Sequence, residues 1–351
     1  MMYPTVLSFI LFIAASHLAN TVAVAQAPTE PSRVVAARNI PVPDTVSAQM
    51  QTLIAQQPAG MSVPKTAEEW KALVAAAAKI DLVRIASLRK QFDVTVESRV
   101  IGNVPCFVIT PKVIPATNRN RLLVHVHGGA YVFGPGESGT LEAIVMAGFS
   151  HMKVISIDYR MPPDFPYPAA MDDAMAVWKE VGKLAHPANI AIFGTSTGGG
   201  MTLAMVQRAK EEGLPLPAAI APGTPWSDLT KTGDSYFTNE SVDNALRAYE
   251  PLLSAAATLY ANGHDLKDRR LSPVYGDFRG FPPTILTTGT RDLFLSNTVR
   301  VHRKLRQAGV VAQLEVYEGQ SHAQYMPDTT APESREAFEE IANFFDAHLG
   351  R

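Results

Sequence analysis

The chain has 351 residues, 46% of them apolar, and 31 basic side chains against 33 acidic ones give a formal net charge of -2. That is enough apolar material for one large α/β domain or two smaller ones, and it argues against wholesale disorder. The charge balance, free of long single-sign blocks, gives no electrostatic reason to expect nucleic acid or an anionic membrane surface as a partner.

Residues 1–27 carry no charged side chain, and Val6 to Ala15 is almost entirely apolar. The run is too short for a comfortable membrane span. Ala25-Gln26-Ala27 supplies the small residues signal peptidase requires, with Ala23-Val24-Ala25 as the alternative site. These features favour a cleaved secretory signal over a retained anchor, although no Lys or Arg precedes the apolar run. The expectation is a periplasmic or secreted protein without integral membrane association after cleavage.

After a leader containing Pro28, Pro31, Pro41 and Pro43, helical spacing appears twice. Val46, Met50, Leu53 and Ile54 mark one helix. Trp70, Leu73, Val74, Ala77, Ile80 and Ile85 mark a second, with Thr66 as N-cap and Glu69 three residues on. Alternation in Val94-x-Val96-x-Ser98-x-Val100 predicts a strand, Gly102-Asn103 a tight hairpin, and residues 104–110 its return. Within that return the single cysteine, Cys106, reads as a packed core thiol; being alone, it excludes an internal disulfide and a multi-cysteine metal site.

From there strands at 122–126, 154–158, 190–193, 218–221, 284–288 and 312–317 alternate with helices at about 138–149, 168–182, 199–212, 297–308 and 333–348. Such alternation is the signature of a mostly parallel sheet covered by helices on both faces. The gap between the strands at 218 and 284 is too long for a crossover. It is expected to hold an insertion, with a helix over 245–260 and Tyr236, Phe237, Tyr249 and Tyr260 as its aromatic content.

One stretch carries chemistry. Ile190 to Phe193 runs as an apolar strand into Gly194-Thr195-Ser196-Thr197-Gly198, and Met201 to Val206 continues with helix-compatible spacing. A serine at the apex of a strand-turn-helix suits a nucleophile, because Gly194 and Gly198 allow the tight bend that lifts its hydroxyl clear of the sheet. A phosphate-binding loop would need Lys-Ser/Thr after its last glycine, where Gly200 and Met201 stand instead. Upstream, a strand runs into His127-Gly128-Gly129-Ala130, whose unobstructed backbone N–H groups can converge on a developing oxyanion.

Such a serine needs a base. Among the nine histidines, His322 lies in a loop directly after the last strand, on the same sheet edge as Ser196. His17, His125, His302 and His348 fall in the leader, a strand and helices. Asp292, in the loop after the preceding strand and 322 - 292 = 30 residues before the histidine, is the acid expected to fix the tautomer of that base. The order Ser, Asp, His is the one expected of an α/β-hydrolase.

Two competing readings have less support. His125-x-His127 puts two imidazoles on one strand face as a metal pair, but no third ligand of suitable spacing follows. Gly134-Pro135-Gly136-Glu137-Ser138-Gly139, with Asp158 19 residues beyond it, spells a dinucleotide fingerprint. That mechanism needs its first glycine directly after the strand, and His127 to Phe133 intervene. Neither a metal nor a cofactor is expected.

Residues 120–325 resemble the bacterial hormone-sensitive-lipase-like branch of the α/β-hydrolases. The resemblance is carried by His127-Gly128-Gly129, Asp158-Tyr159-Arg160, Phe165 to Ala170 leading to Asp172-Asp173, the serine turn, Pro225 to Leu229, Ser272-Pro273-x-Tyr275-Gly276-Asp277, and Gly289 to Asp292. It implies an eight-stranded sheet and a helical cap built from residues 28–91 and an inserted segment 228–268. The catalytic domain would then be 92–227 and 269–351, with carboxylesterase activity and no cofactor. Ser196, Asp292 and His322 fall on the family's triad positions, and Gly128, Gly129, Ala130 and Thr197 on its oxyanion donors. Three departures stand out: Ala130 where glycine usually repeats, Thr195 and Thr197 beside the serine, and the polar Ala323-Gln324-Tyr325 after the histidine.

The expected reaction is acyl transfer from a small ester to water, rising with pH as the imidazole loses its proton, with a midpoint of roughly 6 to 7. The cap and its aromatic insertion point to an apolar pocket for short to medium acyl chains rather than long triglycerides. A lactone hydrolase with the same triad and a hydrolase-fold binding protein that has lost catalysis stay open as alternatives. A homodimer is equally left open.

Overall fold

The computed structural model describes residues 32–57 and 62–350; the expected signal segment, 1–27, lies outside them. Eight runs form one sheet: β1 (Val94–Ile101), β2 (Val104–Pro111), β3 (Leu122–Val126), β4 (Lys153–Ile157), β5 (Ile190–Thr195), β6 (Ala219–Gly223), β7 (Thr284–Gly289) and β8 (Ala312–Tyr317). Their spatial order is β1-β2-β4-β3-β5-β6-β7-β8. β2 pairs antiparallel with β1 and β4, and every later pair is parallel. The opening hairpin turns through Gly102 and Asn103, at φ +60° and +64°, the double left-handed geometry that matches strand twist.

The helices are α1 (Ala48–Ile54), α2 (Ala67–Gln91), α3 (Leu141–Ser150), α4 (Ala169–Leu184), α5 (Thr197–Glu211), α6 (Ser235–Thr238), α7 (Leu252–Ala261), α8 (Leu295–Gln307) and α9 (Pro332–His348). β3, β5 and β7 are buried along their whole length, so both faces must be covered. Leu122, Val124, Val126, Ile190 and Ile192 pack with Met171 and Trp178 of α4, Met201 and Met205 of α5, and Val301 and Leu305 of α8. The alternate residues Leu123, Ala191 and Phe193 pack with α3 and α9. Each Val, Leu, Ile, Met or Phe among them, fully buried, contributes about 1.5–3 kcal/mol. Cys106 lies in the first of these cores, and burial pushes its thiol up to about 12. Among the described residues no helix is long and apolar enough to cross a membrane.

The expected helix over 245–260 is displaced: α7 begins only at Leu252. The Asp243 side chain accepts from the N–H groups of Ala245 (2.8 Å) and Leu246 (2.9 Å), a local side-chain bond that competes with helix. Arg247 then adopts φ +64°, and Pro251 stands as the cap of α7. The second helix runs further than its periodicity indicated, to Gln91. Its N-cap is Thr66, whose hydroxyl accepts from Glu69 N at 3.2 Å.

Candidate active site

Because β5, β7 and β8 are parallel, the loops that follow them open on one edge of the sheet. There Ser196 bends the chain from β5 into α5 at φ +65° and ψ −123°, a conformation held only where its surroundings enforce it. The enforcement is tight packing. A Cβ on either Gly194 or Gly198 would collide with the Val126 carbonyl of β3. The bend is fixed by Ser196 N donating to Gly223 O (2.9 Å), and by Gly200 N (3.0 Å) and Trp226 N (2.8 Å) donating to Ser196 O.

Gly128 closes on this turn so nearly that a Cβ there would lie 2.6 Å from Thr195 O and 3.2 Å from Ser196 Cβ. Gly129, Ala130 and Tyr131 follow at φ +110°, +53° and +63°. Ala130 takes a conformation that costs an L-residue about 1–2 kcal/mol. Among the described residues, no protein group accepts a hydrogen bond from the N–H of Gly128, Gly129, Ala130 or Thr197. Free donors gathered beside a serine are what an oxyanion site requires.

The loop is shaped from below. His127 Nδ1 donates to Gly128 O (2.7 Å), and its ring stacks on Tyr159 at 4.1 Å. Tyr159 in turn donates its hydroxyl to His127 O at 2.7 Å. Burial drives the His127 imidazole down to about 3, partly opposed by the Gly128 carbonyl, so the ring is neutral at pH 7. The apparent dinucleotide fingerprint has a packing role here. A Cβ on Gly134 would meet His127 Nδ1 at 3.0 Å, one on Gly139 would meet its Cδ2 at 2.9 Å, and Gly136 N donates to Asp158 (2.8 Å). Arg160 completes the Asp158-Tyr159-Arg160 run by pairing with the buried Asp173 of α4 at 2.7 Å.

His322, in the loop after β8, places Nδ1 3.1 Å from Asp292 Oδ1 and 2.9 Å from Thr224 Oγ1. Thr224 donates its own hydroxyl to Asp292 Oδ2, Thr288 does so at 2.8 Å, and Phe294 N donates to Oδ1 at 2.7 Å. With both hydroxyls committed to the carboxylate, Nδ1 carries the proton and donates, and Nε2 is left with its lone pair free. Asp292 is fully buried.

Behind the serine lies a buried polar network. Thr195 donates its backbone N–H (3.1 Å) and hydroxyl (2.7 Å) to Glu142 of α3, and its Oγ1 is 2.7 Å from Tyr325 OH. His125, set aside above as half of a metal pair, instead lies 3.1 Å from Glu142 and 2.9 Å from Ser156. Among the described residues no group of three or more His, Cys, Asp or Glu is arranged to hold a metal.

Ser196, His322 and Gly128 to Ala130 line one cavity of about 700 Å³. Phe133, Leu141, Leu246, Leu252, Leu253 and Met326 supply its apolar wall, and Asp81, Glu142, Glu240, Arg247 and Glu250 its charged side chains. Burial raises the Asp81 carboxyl, with Arg84 opposing. The aromatic residues of the insertion do not form this wall, contrary to expectation. Tyr260 stacks on Tyr131 at 3.6 Å, Tyr236 packs against Tyr249, and Phe237 is exposed under Lys231. Sequence reasoning passed over Thr224, Glu142 and Asp243, which reach the site only through long-range contacts. A Thr-Pro-Trp directly after β6 is the one local hint, for Thr224.

A family model described as α/β hydrolase fold matches residues 123–326. An esterase of Acinetobacter venetianus is 30% identical over 225 residues, 64% of this chain and 74% of its own. An acetyl-hydrolase of Streptomyces hygroscopicus is 28% identical over 67% of this chain and 79% of its own. The crystal structure of esterase E25 matches with a TM-score of 0.87 at 44% identity, covering 91% of this chain and 99% of that one. Another, of an esterase from the bacterial hormone-sensitive lipase family, gives 0.74 at 25% identity over 87% and 99%. Fold and relatives define a serine-hydrolase-type α/β-hydrolase, an esterase. Within that superfamily the chain belongs to the bacterial hormone-sensitive-lipase-like family.

Proposed function

We propose that the chain hydrolyses carboxylic esters of short to medium acyl chain through an acyl-enzyme on Ser196. The observation that carries this reading is the left-handed Ser196 turn opening on a cavity shared with His322, whose Nδ1 faces Asp292. Ser196 Oγ attacks the ester carbonyl carbon while His322 Nε2 takes its proton. The carbonyl oxygen becomes an oxyanion facing the N–H groups of Gly128, Gly129, Ala130 and Thr197. On collapse the C–O bond to the alcohol breaks, and Nε2 returns the proton to the leaving oxygen. Water, deprotonated by the same nitrogen, then attacks the acyl carbon; the C–O bond to Ser196 breaks, Nε2 returns the proton to Oγ, and the acid leaves. Asp292 holds Nδ1 throughout and offsets the charge of the imidazolium.

The apolar wall supports an acyl chain of a few carbons, since a cavity of about 700 Å³ lies in the range of small-molecule sites. Turnover of aryl esters of increasing acyl length by wild type and Ser196→Ala tests both parts. The reading expects a short to medium optimum and a variant without turnover above background; equal rates in the two proteins would refute it. The uncharged apolar stretch at 1–27 supports export to the periplasm or medium, which fractionation of cells expressing the full chain checks.

A further inference from the structure

Asp243 belongs to none of the groups assigned above, yet it is a fully buried carboxylate at their centre. Its Oδ2 accepts from Leu293 N at 2.8 Å and His322 N at 3.3 Å, and its Oδ1 from Ala245 N and Leu246 N. One side chain therefore ties the residue after Asp292, the backbone of His322 and the inserted segment together. Its neighbours extend the brace. Asn239 donates to Asp292 O at 2.8 Å and Thr290 O at 3.2 Å, while Asn244 N donates to Ser321 Oγ at 3.0 Å. Asn244 also donates its side-chain amide to Leu53 O at 2.8 Å, fastening the end of α1.

We infer that Asp243 is a positioning residue, setting the acid loop and the base loop in register through its four N–H bonds and placing a second negative charge beside the His322 imidazolium. The inference rests on the reading of Ser196, Asp292 and His322 as the triad. Burying a carboxylate without a cation partner is costly, and bonds to backbone N–H groups are what offset it. A site needing only a link between loops could use a neutral side chain at less cost. The titratable groups facing Asp243 are Asp292, from the loop after β7, and His322, from the loop after β8. Burial and Asp292 push its carboxyl up, and His322 with the N–H groups of Leu246 and Leu293 pulls it back.

Asp243→Asn keeps the shape but turns an N–H₂ toward two N–H donors, and Asp243→Ser removes the charge and shortens the reach. Both are compared with wild type and Asn244→Ala on an aryl ester, with active sites counted by a serine-reactive organophosphonate and folding followed by circular dichroism. Loss of register by an ångström costs on the order of 100-fold, so kcat should fall about 10- to 100-fold in the Asp243 variants with KM within about twofold. Removing a negative charge near an imidazolium makes it easier to deprotonate, so the rising limb of kcat/KM against pH should move to lower pH. Asn244→Ala, which keeps its backbone bond to Ser321 but loses the side-chain tie to Leu53 and removes no charge, should lose stability and leave the limb where it is in wild type. Unchanged kcat, a fall in kcat with an unmoved limb, or failure of both Asp243 variants to fold would mark a purely structural role and overturn the inference. A wild type that turns over no ester, or Ser196→Ala as active as wild type, would instead remove the triad reading itself.

Discussion

Thr195→Val tests the polar network behind Ser196. The change is nearly isosteric at a buried site and removes one hydroxyl, which serves Glu142 Oε1 and Tyr325 OH, both at 2.7 Å. Glu142 keeps its bonds to Thr195 N and His125, but among the described residues Tyr325 OH has no other partner. A buried group left unpaired costs about 1–3 kcal/mol, more if charged, so two such losses amount to about 3–5 kcal/mol. At about 2.1 cal/mol/K per residue, a unit of some 300 residues has an unfolding entropy near 0.6 kcal/mol/K, and the melting midpoint should drop about 5–8 °C. Thr195→Ser keeps the hydroxyl and loses only a methyl, about 1 kcal/mol. The assay is thermal denaturation of the three proteins at one scan rate, with kcat measured alongside. A Thr195→Val midpoint within about 2 °C of Thr195→Ser would refute the reasoning.

Two further outcomes follow from the same geometry. Asp292→Asn should lower kcat by on the order of 10⁴ with little change in KM, because an amide nitrogen facing Nδ1 turns the imidazole to the wrong tautomer; steady-state kinetics above pH 7 checks this. His127, held neutral by burial with its imidazole down to about 3 against an ordinary 6.5, gives an acid-sensitive fold. The unfolded chain binds the proton first, so the contribution is fully present above pH 6.5 and is lost as pH falls toward about 3. At about 1.4 kcal/mol per unit the window amounts to at most about 5 kcal/mol. Melting midpoints from pH 7 to 4 should fall less steeply in His127→Gln than in wild type, once each is referred to its own value at pH 7.

Local physics explains which features were legible in the sequence. The turn at Ser196 is written in adjacent residues, since both Gly194 and Gly198 are required by one carbonyl. The alternation of apolar runs likewise gave the parallel sheet, and with it the shared edge on which the loops bearing Ser196, Asp292 and His322 open. The insertion was harder to read, because Asp243 competes for backbone N–H groups that helical spacing would have assigned to a longer α7. Its tyrosines looked like pocket walls and proved to be core, a distinction that depends on which way a side chain packs. Thr224, Glu142 and Asp243 were invisible for a related reason: their partners beside Ser196, Asp292 and His322 are 50 to 98 residues away in the chain, as in Asp243 with Leu293, Glu142 with Thr195 or Thr224 with His322. The glycine-rich decoy shows the converse, a motif whose first and last glycines are required by packing against the His127 ring while the middle one, Gly136, faces open space at φ +63°.

The central claim is that Ser196 is a nucleophile activated within this cavity, and covalent labelling tests it most directly. Wild-type protein treated with a short-chain aryl phosphonate, then mapped by peptide mass spectrometry, should carry one adduct per chain, on Ser196, and His322→Ala should label far more slowly. An unlabelled Ser196 under conditions where the protein hydrolyses an aryl ester, or an adduct on another residue, would contradict the account.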